Sequence, residues 1–290
     1  MPLRFAACTL LTTPGDAKAI AERIEATDAA LRARLSIFSS FHAPLRLMTA
    51  AMLVKAGDTA DNYMNAAEHF RELLRAHQVR KGSSYEYVAA LVLHRLNNGR
   101  PITDAQVVRF KALYDAMKRY HFWLTGPDDF PACALLVPAP GTPQEIGDRI
   151  EAIYQALRTE ADLWRGEALQ TAANVLVLAG LEPLEAARRF RDISEAFAKR
   201  GVKIRQSEYD EVSVLCFLAQ PLERIVDAVL AYRTLVGKQF RWLGSSFEFS
   251  LGASLSFVRL CGDHETLGPL SDAKLLLDMQ TIIAARQASS

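Results

Sequence analysis

Apolar residues return along the chain in two alternating patterns. One is a short run that is apolar on nearly every side, as in Tyr85-Glu-Tyr-Val-Ala-Ala-Leu-Val-Leu, Leu169-Gln-Thr-Ala-Ala-Asn-Val-Leu-Val-Leu and Tyr209-Asp-Glu-Val-Ser-Val-Leu-Cys-Phe-Leu. A helix of this kind is buried on most sides. The other pattern is longer and charged, with apolar residues at helical spacing. Ile146, Ile150, Ile153, Tyr154 and Leu157 form one such series. Leu184, Ala187, Phe190, Ile193 and Phe197 form a second, and Leu222, Ile225, Val229, Tyr232 and Val236 a third. They predict amphipathic helices with one dry face. A short apolar run also fits a strand, but the residues ahead of the runs favour helices. Ser83-x-x-Glu86 and Ser245-x-x-Glu248 fit the capping box, Ser207-x-x-Asp210 repeats it with a shorter acid, and Asp128 takes the cap position before Phe130-Pro131. Thr142-Pro-Gln-Glu145 opens an amphipathic helix in the same way, and Pro183, Pro221 and Pro269 mark the starts of others.

The alternation is periodic. Pro2, Leu3, Arg4, Leu11, Gly15 and Asp16 recur as Pro44, Leu45, Arg46, Leu53, Gly57 and Asp58, at a constant offset of 42. An apolar anchor then returns at Leu3, Leu45, Tyr85, Phe130, Leu169, Tyr209 and Phe247, with spacings of 42, 40, 45, 39, 40 and 38. Periods of this length signal stacked supersecondary units. The expectation is an all-α fold of about seven helix hairpins of roughly 40 residues, each with an inner apolar and an outer amphipathic helix. No linker or shift of composition divides the chain, so residues 1–290 read as one domain. The array forms an open α/α superhelix or closes into a toroid, and the apolar inner helices favour tight curvature.

His121-Phe-Trp-Leu-Thr-Gly-Pro-Asp-Asp-Phe-Pro131-Ala-Cys-Ala-Leu-Leu136 resembles a segment of a bacterial family known as a domain of unknown function, with its aromatic-Leu-Thr-x-x-Asp-Tyr-Pro motif. Val79-Arg-Lys-Gly-Ser-Ser-Tyr-Glu-Tyr-Val-Ala-Ala90 and Trp164-Arg-Gly-Glu-Ala-Leu-Gln170 resemble its neighbouring segments, in the same order. The resemblance covers residues 3–260 and implies the helical fold; it brings no activity, substrate or cofactor.

Composition narrows the function classes. Half of the 290 residues are hydrophobic and 23% are charged, which excludes a disordered chain. A net charge of +1 speaks against a dedicated nucleic-acid binder, whose affinity rests on neutralising phosphates. No apolar run is long enough to cross a membrane. The apolar start resembles a short secretory signal, but its recurrence at residue 44 makes it part of the fold. Cys8, Cys133, Cys216 and Cys261 lie far apart, mostly in apolar runs, as expected for buried thiols in a reducing, cytoplasmic compartment. Cys261 and His264 have ligand spacing but are two where a metal needs three or four, so no metal or cofactor is expected.

Candidate chemistry gathers in the connectors that lead into the inner helices. They read Arg80-Lys-Gly82, Leu124-Thr-Gly126, Trp164-Arg-Gly166, Ile204-Arg-Gln206 and Trp242-Leu-Gly244, and the glycines suit left-handed helix ends. In a repeat stack they emerge on one rim. Arg80, Lys81, Arg165 and Arg205 stand there beside inner-helix N-termini and are candidates for a phosphate or carboxylate. Asp128 and Asp129, with Tyr85, Glu86, Tyr209 and Glu248, are candidates for acid–base work. Both sets have a structural explanation as caps and first-turn acids. His77 and His121 suit the ends of outer helices, where a cation meets the dipole. Residues 188–205 are locally basic, which fits a solvated face better than nucleic acid. The function expected is an interaction or scaffold module for a protein, a peptide or a small anion. The alternative is an enzyme or ligand-binding toroid with a carboxylate-lined rim pocket around Asp128 and Asp129.

Overall fold

The computed structural model describes residues 13–36, 39–239 and 244–261. Leu3, Cys8, Trp242, His264 and Pro269 lie outside the described residues. Among the described residues the chain forms twelve α-helices and no strand.

The helices fall into two compact units. The first holds α1 (Ala17–Ala33), α2 (Ala43–Ala56), α3 (Ala60–Ala76), α4 (Ser84–Leu96), most of α5 (Asp104–Tyr120), a 3-10 turn at Pro127–Asp129 and α6 (Phe130–Leu136). The second holds the last turns of α5, then α7 (Pro143–Glu160), α8 (Glu167–Leu176), α9 (Pro183–Lys199), a 3-10 turn at Gln206–Glu208, α10 (Tyr209–Leu215), α11 (Leu222–Gln239) and α12 (Ser245–Cys261). Within each unit consecutive helices pack as pairs (α1 with α2, α3 with α4, α7 with α8, α11 with α12), and helices of one kind also pack on one another. Even-numbered helices meet one another (α4 with α6, α8 with α10, α10 with α12), and so do odd-numbered ones (α1 with α3, α7 with α9, α9 with α11).

The two apolar patterns become two kinds of burial. In α4 every residue from Ser84 to His94 is buried. In α7 burial follows the stripe Ile146, Ile150, Ile153, Tyr154 and Leu157. Four expected core positions differ, two of them the half-buried Leu222 and Tyr232 of α11. Phe247 is only half-buried, while Phe249, two residues on, is enclosed and stands edge-on to Phe197 at 5.2 Å. Leu184 is exposed, because burial in α9 begins at Ala186, a turn inside Pro183.

Recurrent arginines tie odd helices to the carbonyl ends of the following even ones. Arg23 donates to the Val54 carbonyl at 3.3 Å, Arg109 to Val137 at 2.7 Å, Arg149 to Leu181 at 2.9 Å and Arg189 to Cys216 at 2.7 Å. The last carbonyls of a helix have no intrahelical partner, so a buried helix end needs such donors.

The helix starts depart from the simple capping boxes, except at α7. There the Glu145 N–H donates to Thr142 Oγ1 at 3.2 Å and the Thr142 N–H to Glu145 Oε2 at 2.7 Å. Ser83 precedes α4 but makes no side-chain cap, and Glu86 reaches further back, to the Gly82 N–H at 2.7 Å. Asp128 is not the cap of α6. The 3-10 turn brings Asp129 to that place, and its carboxylate accepts from the Gly126 N–H at 3.1 Å. Ser207 lies inside the next 3-10 turn, where Glu208 accepts from the Arg205 N–H at 2.9 Å. Ser245 is the first residue of α12 itself. Of the expected connector glycines, Gly166 holds a positive φ of 139°. Gln78, Asp162 and Gly201 hold the positive φ angles near the ends of α3, α7 and α9. Gly82 serves close approach instead, since a Cβ there would collide with the Phe130 ring.

Candidate functional site

In the first unit the connectors are stitched to one another. Ser84 Oγ donates to the Ser40 carbonyl at 2.6 Å, and Gly82 lies against Phe130. Glu86, fully buried in the first turn of α4, accepts from Arg71 Nε at 2.8 Å, from Arg75 and from the Gly82 N–H. Burial alone would raise its pKa, but Arg75, Gly82 and Arg71 outweigh that and hold the carboxyl below its ordinary range. Arg71 also donates to the Tyr87 hydroxyl at 3.0 Å. Tyr85 is buried at the start of the same helix.

The charges of Asp128 and Asp129 act on a second buried group. Burial pushes the Tyr114 hydroxyl up to about 12, with Cys133, Asp129 and Asp128 adding to the rise and Arg80 opposing it. Asp128, Asp129 and Arg80 thus act electrostatically on one phenol that sequence reasoning missed. Lys81 is exposed in the same connector. Two histidines of this unit are bound at helix ends. His77 Nε2 meets Asp104 at 2.6 Å, and the buried His94 meets Asp58 at 2.5 Å.

In the second unit four connectors join in series. The His121 ring packs on Tyr154 at 4.4 Å, and its Nε2 lies 2.7 Å from Glu151. The Gly166 N–H donates to the Tyr154 hydroxyl at 3.4 Å, bringing in the connector of Trp164 and Arg165. The Tyr209 hydroxyl is raised by burial and faces the Trp164 backbone N–H, which links the connector of Arg205. Arg205 donates to the hydroxyls of Ser245 and Ser246, both at 3.3 Å. Glu248 is half-buried on α12, 4.0 Å from Arg233.

Along this series lies a groove of ≈ 740 Å³. Trp164, Arg191, Lys203, Arg205 and Tyr209 line it, together with Glu160, Asp162 and Glu195. Trp164 stands 76% exposed there, and the connector before it shows Phe122 at 58% and Trp123 at 93%. Arg205 and Tyr209 are thus brought together with partners, Trp164 above all, that sequence reasoning passed over as connector residues.

Much of the basic stretch 188–205 is paired. Arg188 meets Glu160 at 3.6 Å, Arg191 meets Asp192 at 3.1 Å and Glu195 at 3.7 Å, and Arg200 meets Asp227 at 2.8 Å. Cys133 and Cys216 are buried thiols outside any disulfide, and burial pushes the Cys216 thiol up to about 12. Among the described residues no cluster of three or more His, Cys, Asp and Glu could hold a metal, and no helix is long and apolar enough to cross a membrane.

Paired helices with linked connectors make the described residues an all-helical protein with a groove on its surface. The chain belongs to a family of proteins of unknown function, DUF4003, whose model matches residues 5–288. It is 24% identical over 213 residues to the uncharacterized protein YeaA of Bacillus subtilis strain 168, a match covering 72% of this chain and 62% of that relative. The chain thus spans under two thirds of the relative's length. No solved structure matches.

Proposed function

We propose that the protein is a helical-repeat interaction module whose second-unit connectors hold a segment of another protein. The repeat is supported by spacing at the packed positions. Ile24, Phe70, Phe110, Ile150, Phe190 and Val229 are all buried, and from Phe70 onward they recur every 39 or 40 residues. Arg109, Arg149 and Arg189 keep the same interval and bond carbonyls in the same way. The even-on-even and odd-on-odd packing is what a stack of hairpins produces.

The observation that carries the binding role is Trp164, 76% exposed in a groove with Arg205 and Lys203. Large aromatic and arginine side chains around a concavity are the usual energetic centre of a protein interface. The carboxylates of the first unit support an enzyme less well. Glu86 is bound by two arginines and an amide, and Asp129 by the Gly126 N–H.

A displayed random-peptide library selected on the full chain tests this proposal. Peptides should be enriched whose binding weakens at least about tenfold in Trp164→Ala. Failure to enrich any peptide, or equal binding by the variant, would contradict it.

A further inference from the structure

We infer that the partner segment is proline-rich and uncharged, held as an extended polyproline helix against Trp164; this rests on the interaction-module proposal. The first observation is a balance of charge. Three acids (Glu160, Asp162 and Glu195) and three bases (Arg191, Lys203 and Arg205) line the groove. Glu160 and Glu195 are each 3.7 Å from Arg191, so these charges already answer one another. A segment with net charge of either sign would set like charges face to face, which penalises binding. The continuous phosphates of a single-stranded nucleic acid would meet the same three carboxylates.

The second observation is how the connector that carries Trp164 spends its amides. The Ala161 and Leu163 N–H groups donate to the Leu157 carbonyl at 3.2 and 3.4 Å. The Trp164 N–H faces the Tyr209 hydroxyl, and the Gly166 N–H donates to the Tyr154 hydroxyl at 3.4 Å. These bonds hold the indole on a built support, which lowers the cost of docking against it. They also occupy the main-chain donors nearest the ring. With no strand among the described residues, the groove has no sheet edge for a partner strand to extend. An amphipathic helix would press its apolar stripe on the six charges and strip their water. What the groove offers is a flat aromatic face, 76% exposed, beside the side-chain donors of Lys203 and Arg205. A polyproline helix matches that offer. Its prolines have no N–H to satisfy, its carbonyls all face outward as acceptors, its rings pack on aromatic side chains, and its extended form is ordered before binding.

Selection from the displayed library on the full chain, then titration of one enriched peptide, decides the matter. Prolines should be enriched about three residues apart, the repeat of the polyproline helix, and charged residues depleted. Affinity should change less than about twofold between about 50 and 300 mM salt. It should fall at least about tenfold in Trp164→Ala, at an unchanged melting temperature, and similarly when the peptide's prolines become alanine. Charged peptides, of one sign or alternating, whose binding weakens with salt would overturn this inference and leave the interaction module standing. So would proline-free peptides that become helical on binding by circular dichroism. An empty selection would overturn both. A single-stranded RNA of about 12 nucleotides that displaces the peptide with comparable affinity would overturn it in favour of nucleic acid.

Discussion

Glu86 shows how far a residue's task lies from its local motif. Its spacing from Ser83 matches a capping box, yet the carboxylate is buried and bridges Arg71, Arg75 and the Gly82 N–H. Removing it leaves an amide and two guanidiniums facing one another. Glu86→Ala should cost about 2 kcal/mol by denaturant unfolding, below the usual figure for a buried pair because Arg71 and Arg75 are about one-third exposed. The native carboxyl holds its proton more weakly than the unfolded one. Its contribution is therefore complete above the unfolded pKa of about 4.3 and is lost as pH falls through the lower folded value. The stability gap between wild type and Glu86→Gln should narrow from pH 7 to pH 3.5; a gap that widens would contradict the assignment. Gly82→Ala forces a Cβ into the Phe130 ring and should destabilise by about 1–3 kcal/mol, again by denaturant unfolding. The sequence marks both residues as special, through an acid at a helix start and a glycine in a connector. It does not show Arg71 and Arg75, which sit a helix earlier at positions any solvated face would fill.

At the scale of elements, the alternation of all-round apolar and striped segments was readable from the sequence and became the even and odd helices. The reason is physical: burial on every side and burial on one side leave different periodicities. Helix starts were read less well. Caps are set by a few backbone angles, and the 3-10 turns at Pro127–Asp129 and Gln206–Glu208 move the capping acid to Asp129 and Glu208. On α12 the core position is Phe249, two residues after the expected Phe247. Phe249→Ala should therefore cost about 3–5 kcal/mol, and Phe247→Ala clearly less, measured by thermal or chemical unfolding of the two variants. Equal losses would place both rings in the core. The carbonyl-binding arginines escaped notice because each looks like an ordinary charge on an outer helix; only a repeat interval near 40 residues sets Arg109, Arg149 and Arg189 apart.

At the scale of the molecule, the packed positions divide into two compact units while the sequence period runs through both. The candidate chemistry divides likewise. Asp128, Asp129, Glu86, Tyr85, Arg80 and Lys81 belong to the first unit, and Tyr209, Glu248, Arg165 and Arg205 to the second. Sequence reasoning found the connectors that carry the groove. It weighed charge and tyrosines there and overlooked Trp164, because exposure of Trp164 cannot be told from a tryptophan's place in a motif. The central claim is that the second unit's connectors form a binding site. Amide chemical-shift mapping with a peptide selected on the full chain tests it most directly. The largest shifts should fall in residues 162–166 and 203–206 and disappear in Trp164→Ala. Shifts centred on Asp128 and Asp129, or spread without a focus, would contradict the claim.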